Sequence, residues 1–104
     1  MAMNTLVSEK QNELVALCHL FRVKRLELFG SAATSEFDPK ESDVDFLVVF
    51  QEMSPSDHSN AYFGLLADLE TLFSRRVDLV EYKAIDNPYF LEAVETTRTL
   101  LYAA

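Results

Sequence analysis

The sequence predicts an α/β (α+β) domain, a small mixed β-sheet with helices packed mainly on one side. Two observations carry this. Segments with helical apolar spacing alternate with short β-branched runs along the chain, and 104 residues with only two glycines leave room for one core and no linker or repeat. A single domain over residues 1–104 is therefore expected.

The elements follow in order. Leu14, Leu17, Cys18 and Phe21 recur at i, i+3, i+4 and i+7, and Ser8 with Gln11 has capping-box spacing, so a helix is expected from about residue 8 to 21. Leu26 and Leu28 alternate with Arg25 and Glu27 before Phe29, a short strand that stops at Gly30-Ser31. Residues 31 to 42 are polar and read as loop. Val44 to Phe50 is apolar apart from Asp45, as in a central strand covered on both faces. Ser54-Pro55-Ser56-Asp57 breaks the chain, after which Tyr62, Leu66, Leu69 and Phe73 mark a second amphipathic helix. Val77 to Tyr82 is a third strand. Asn87 caps a last helix with Pro88 at its first position, and Leu91, Val94 and Leu101 line its inner side. Strand order does not follow from these patterns.

Charge narrows the function. Nine Lys and Arg against seventeen Asp and Glu give a net charge of −8, which argues against direct nucleic-acid binding and favours cations or a basic partner. The lone Cys18 forms no internal disulfide, the start MAMNTLVSEK is no signal peptide, and no run of 18 apolar residues predicts a membrane span. A cytoplasmic location is expected. The acids concentrate in residues 36 to 45, which hold Glu36, Asp38, Glu41, Asp43 and Asp45 against Lys40.

Asp43 and Asp45 flank Val44 at the start of the apolar strand, so alternation projects both carboxylates from one face. Ionising both there is costly without a cation, and hard oxygen ligands suit Mg²⁺, which completes its octahedron with waters and substrate phosphates. Asp78 is an acid among apolar strand neighbours and completes a triad if its strand lies beside that of Asp43. Gly30 lets a phosphate approach the backbone and Ser31 offers a hydroxyl. Two other Asp-x-Asp chemistries fit worse. A haloacid-dehalogenase-like nucleophile has its apolar strand before the aspartates, and an EF-hand loop needs glycine and polar ligands where Leu47 and Val48 stand. His19 and His58 have no second His or Cys at metal spacing and read as a helix-surface and a loop residue, and Cys18 as a core residue.

With these residues in place, LFGSAATSEFDPKESDVDFLVVF and the later RRVDLVE resemble the minimal nucleotidyltransferases (MNT) of the DNA polymerase β-like superfamily. NPYFLEAVETTRTLLY looks like that family's C-terminal helix. The resemblance implies the polymerase β-like nucleotidyltransferase core and a Mg²⁺-dependent nucleotidyltransferase that moves AMP from ATP to a hydroxyl of a partner protein. Asp43, Asp45 and Asp78 would hold two Mg²⁺, Asp78 would also help deprotonate the acceptor, and Gly30 with Ser31 would hold the triphosphate. It further implies an antitoxin partnered with a HEPN toxin, and any exposed share of Tyr62, Phe63, Tyr89 and Phe90 would suit the surface of a homodimer or hetero-oligomer. Thr34 and Ser35 stand where many members have Arg and Gly, and eleven residues rather than about ten separate Ser31 from Asp43. That departure keeps an inactive antitoxin, neutralising its partner by complex formation, as the alternative.

Overall fold

Among the described residues, 5–33 and 43–104, the computed structural model forms one four-stranded sheet. In chain order the elements are α1 (Thr5–Ser8), α2 (Gln11–Leu20), β1 (Val23–Phe29), β2 (Val44–Phe50), α3 (Pro55–Phe73), β3 (Val77–Glu81), α4 (Pro88–Thr97) and β4 (Thr99–Ala103). Single 3₁₀ turns lie at Gly30–Ala33 and Tyr82–Ala84. The sheet order is β3-β2-β1-β4, with β1 antiparallel to both β2 and β4, and β2 parallel to β3. The parallel pair needs a long crossover, which α3 supplies.

Alternation sorts the strand residues onto two faces. Leu26 and Leu28 of β1, Val44, Phe46 and Val48 of β2, and Val77 and Leu79 of β3 enter the main core with Cys18 of α2 and Leu65, Leu69 and Phe73 of α3. Phe29 and Leu47 point the other way and pack with Val94 of α4, flanked by Val80, Tyr82 and Ile85. The expected α+β architecture is found, with α2 and α3 on one face and α4 alone on the other. Cys18 is a fully buried core residue, and burial pushes its thiol up to about 12.

Several expected boundaries shift for identifiable reasons. The helix expected over about 8 to 21 is split into α1 and α2. Gln11 is the first residue of α2 rather than the third position of a capping box; its side-chain amide donates to the Leu101 carbonyl at 2.9 Å, and Lys10 stands at the N-cap without a side-chain cap hydrogen bond. The Ser54-Pro55 break is instead the start of α3. Ser54 Oγ accepts from the Asp57 amide at 3.1 Å and Pro55 occupies the first turn, where its missing N–H costs nothing. His58 consequently sits on α3, not in a loop, and bonds Glu81 at 2.5 Å. The last helix ends at Thr97, and Leu101 is buried in β4 rather than on its inner side. The threonines and Tyr102 of that segment favour extended backbone, and β4 covers what would otherwise be the open edge of β1.

One buried charge joins these late elements to the sheet. Glu27 of β1 is 4% exposed and accepts from Arg98 Nε at 3.0 Å and Nη2 at 2.5 Å, with Arg25 Nε at 3.2 Å. The Arg98 guanidinium also lies 4.9 Å from the centroid of the Tyr82 ring. Burial alone would raise the Glu27 pKa, but the Arg98 and Arg25 hydrogen bonds and charges outweigh it and hold the carboxyl below its usual value.

Candidate active site

The parallel pairing of β2 with β3 sets Asp45 directly opposite Asp78, with Val44 against Val77 and Phe46 against Leu79. Since Val44, Val77 and Leu79 enter the main core, both aspartates project from the other face. Asp45 is half-buried and Asp78 exposed. The Asp45 carboxyl is pushed from 3.8 up to about 7, first by burial, then by the charge of Asp78 and a hydrogen bond to it, and last by the charge of Asp43. Asp43, half-buried, immediately precedes β2. The structure thus brings the three predicted aspartates to one end of the sheet.

Such an arrangement fits a divalent cation. The half-buried Asp45 carboxyl, pushed up beside a second carboxylate, is a hard oxygen ligand whose ionised form a divalent cation would favour. Among the described residues no group of three or more acid, His or Cys side chains is arranged to hold a metal ion. Mg²⁺ does not require one, because it uses one or two carboxylates and fills its remaining positions with waters and phosphates.

Gly30 has a specific steric role. It follows β1 with φ +71°, and a Cβ added there would collide with Asp45 Oδ2. Its N–H donates to Thr97 Oγ1 at 3.0 Å, so this amide is engaged with α4. Ser31 lies in the Gly30–Ala33 turn beside it. Thr34, Ser35, Glu36, Asp38, Lys40 and Glu41 lie outside the described residues. Gly30→Ala is expected to lower stability by about 1–2 kcal/mol from the left-handed backbone alone and to displace the Asp45 carboxylate. Thermal melts and transfer assays on this variant should show both losses; full activity at unchanged stability would contradict the tight Gly30–Asp45 approach.

Sequence reasoning missed Thr97, whose position gives no signal of its own. It also missed the buried pairing of Glu27, although an acid among Leu26, Leu28 and Phe29 is the same signal that singled out Asp78. Of the aromatic residues, Tyr89 is 84% exposed on α4, whereas Phe90 meets the Phe29 ring edge-on at 5.9 Å, next to Gly30.

Comparison with known proteins gives a consistent result. The nucleotidyltransferase domain family matches residues 14–101. Two Methanocaldococcus jannaschii proteins, both named as inferred protein adenylyltransferases, are 39% identical over 75 residues, 72% of this chain and 73% and 72% of their own lengths. A solved structure of an inferred minimal nucleotidyltransferase is 29% identical with a TM-score of 0.64, covering 95% of each chain. The same fold occurs in the complex of the tri-AMPylated Shewanella oneidensis HEPN toxin with its MNT antitoxin. There the TM-score is 0.64 at 19% identity, over 93% of this chain and 72% of that one. A toxin–antitoxin structure with AMP-PNP gives a TM-score of 0.66 at 21% identity, over 90% of this chain and 73% of that one.

Proposed function

This chain belongs to the nucleotidyltransferase domain family and is a nucleotidyltransferase, and from that premise we propose that it moves AMP from ATP, with Mg²⁺, to a hydroxyl of a partner protein, as the antitoxin of a HEPN toxin. The observation that carries the reading is the apposition of Asp45 and Asp78 across parallel strands, with Asp43 one step away. The names of the two archaeal relatives support the protein acceptor, and the fold shared with an MNT antitoxin supports the toxin partner.

Asp43 and Asp45 would hold Mg²⁺, with Asp78 sharing one ion. Bound Mg²⁺ supplies charge neutralisation at the attacking and leaving oxygens of an in-line displacement at the α-phosphorus. Asp78, the exposed member, would take the proton of the acceptor hydroxyl. The hydroxyl oxygen bonds to phosphorus as the bond to the β-phosphate bridging oxygen breaks, and pyrophosphate leaves. Gly30 leaves room for the Asp45 carboxylate, and Ser31, the next residue in the chain, would bind the triphosphate. No described helix is long and apolar enough to cross a membrane. The net charge of −8 complements a basic, RNA-cleaving partner.

Mg²⁺ with ATP should stabilise the fold by about 2.7 kcal/mol at a hundredfold excess over Kd, because the ligand binds only the folded site. Label from α-labelled ATP, but not from γ-labelled ATP, should pass to the partner protein. No thermal shift at millimolar Mg²⁺ and ATP, or transfer of the γ label, would contradict the reading.

A further inference from the structure

The proposed site collects three carboxylates and must also admit a polyanionic triphosphate. Metal ions offset part of that charge, and a side-chain cation at the same end of the sheet would offset more. The nine Lys and Arg of the chain can be followed one by one. Arg98 and Arg25 are committed to Glu27. Arg22 donates to the Glu52 carbonyl at the opposite end of β2, where the Gln51 amide in turn bonds the Arg22 carbonyl. Lys24 opens β1 at that same far end, Lys83 lies in the turn after β3, and Lys10 stands at the N-cap of α2. Lys40 lies outside the described residues. Arg75 is half-buried.

Arg76 differs from all of these in position. The Val44 amide donates to the Arg76 carbonyl at 3.3 Å, the bond that closes the Val44–Val77 end of the ladder, so Arg76 immediately precedes β3 as Asp43 precedes β2. Stepping back from Asp45 opposite Asp78 and Val44 opposite Val77 places Arg76 level with Asp43. Alternation then sets Arg76 on the face of Asp78, since Val77 between them enters the main core. Its side chain is exposed and enters no ion pair among the described residues.

We propose that Arg76 is a substrate-binding residue that grips the triphosphate of the incoming nucleotide beside Asp43, Asp45 and Asp78. The inference rests on the nucleotidyltransfer reading of that site. A guanidinium presents a planar fork of donors suited to two phosphate oxygens at once, and at this register it can reach the tail without displacing an existing pair. The competing role is purely local, a solvated arginine that softens the repulsion among the aspartates and contributes little.

Counting phosphates separates the two roles. Arg76→Ala, Arg76→Gln and Arg76→Lys are compared with the unaltered protein by thermal shift and competitive displacement, using ATP, ADP and AMP, each with Mg²⁺, and pyrophosphate as product inhibitor. Circular dichroism confirms the fold of each variant. The expected result is at least tenfold weaker ATP binding for Arg76→Ala and Arg76→Gln, a smaller loss for ADP, and AMP within twofold of the unaltered protein. Pyrophosphate inhibition should weaken in parallel, and Arg76→Lys should recover part of the loss as a point charge without the fork. Unchanged ATP affinity, or equal losses for ATP and AMP, would overturn the assignment while leaving the metal site standing. Absence of ATP binding by the unaltered protein would instead remove the nucleotidyltransfer reading, and Arg76's role with it.

Discussion

Asp45→Asn is expected to abolish nucleotidyl transfer and, without metal, to raise the melting temperature. The two effects have one cause. Asp45 is half-buried, faces Asp78 and feels Asp43, and its carboxyl is pushed up to about 7. A pKa raised above the unfolded value means that stability is highest while the group is protonated. It is lost as pH rises from the unfolded value of about 4 through 7, so near neutral pH the ionised group works against the fold. The amide of Asn keeps the size and can donate to Asp78 without the charge. A gain of about 1 kcal/mol, discounted for the partial exposure of the site, corresponds to about 4–8 °C in a domain of this size. If Asp45 holds Mg²⁺ as proposed, the same substitution removes a ligand oxygen, so transfer should fall by more than the roughly 10–100-fold that changes beyond the ligands themselves cost. Melts in chelator and a label-transfer assay measure the two halves. A lower melting temperature would show that the Asp45 carboxylate is comfortably accommodated, and retained transfer would remove it from the site.

The second large effect lies in the sheet beneath α4. Glu27→Ala is expected to destabilise the protein by about 3 kcal/mol, the lower end of the cost of removing one partner from a buried pair. It would leave the Arg98 guanidinium facing a cavity between β1 and the end of α4. The partly exposed Arg98, which keeps its pairing with Glu95, limits the cost. The pH dependence has the opposite sign to that of Asp45. Because the folded pKa of Glu27 is depressed, its contribution is complete above the unfolded value of about 4.3 and is lost as pH falls through the folded one. Denaturant melts should therefore show the gap between the unaltered protein and Glu27→Ala closing in acid. A gap that stayed constant down to the lowest pH of the folded range would mean that packing, not the ion pair, carries the effect. Since Thr97 next to Arg98 holds the Gly30 amide, losing this clamp should also loosen the approach of Gly30 to Asp45.

How far the sequence reveals this arrangement depends on whether the cause is local. β2 is legible because its apolar run from Phe46 to Phe50 has one reading, and Asp78 because an acid among apolar neighbours needs a reason. The parallel register that sets Asp45 against Asp78 is a long-range fact, and no spacing in the chain encodes it. The same holds for β4. Leu101 continues the helical spacing of Leu91 and Val94, and only the open edge of β1 turns that segment into a strand. Gln11 fits a local cap with Ser8, yet its side chain goes to Leu101 in that strand. At the site, the Asp-x-Asp and Gly-Ser motifs are visible in the sequence, whereas the engagement of the Gly30 amide by Thr97 and the alignment of Arg76 with Asp43 emerge only from the packed sheet.

The most direct measurement is the intact mass of a HEPN toxin that forms a complex with this chain, purified after expression with it and again with its Asp43→Asn variant. The account predicts a partner carrying one or more added adenylyl groups on a hydroxyl side chain with the unaltered chain, and an unmodified partner with Asp43→Asn. A partner of unmodified mass in both cases, although complexed and neutralised, would contradict it, as would adenylylation that persists in the Asp43→Asn pair.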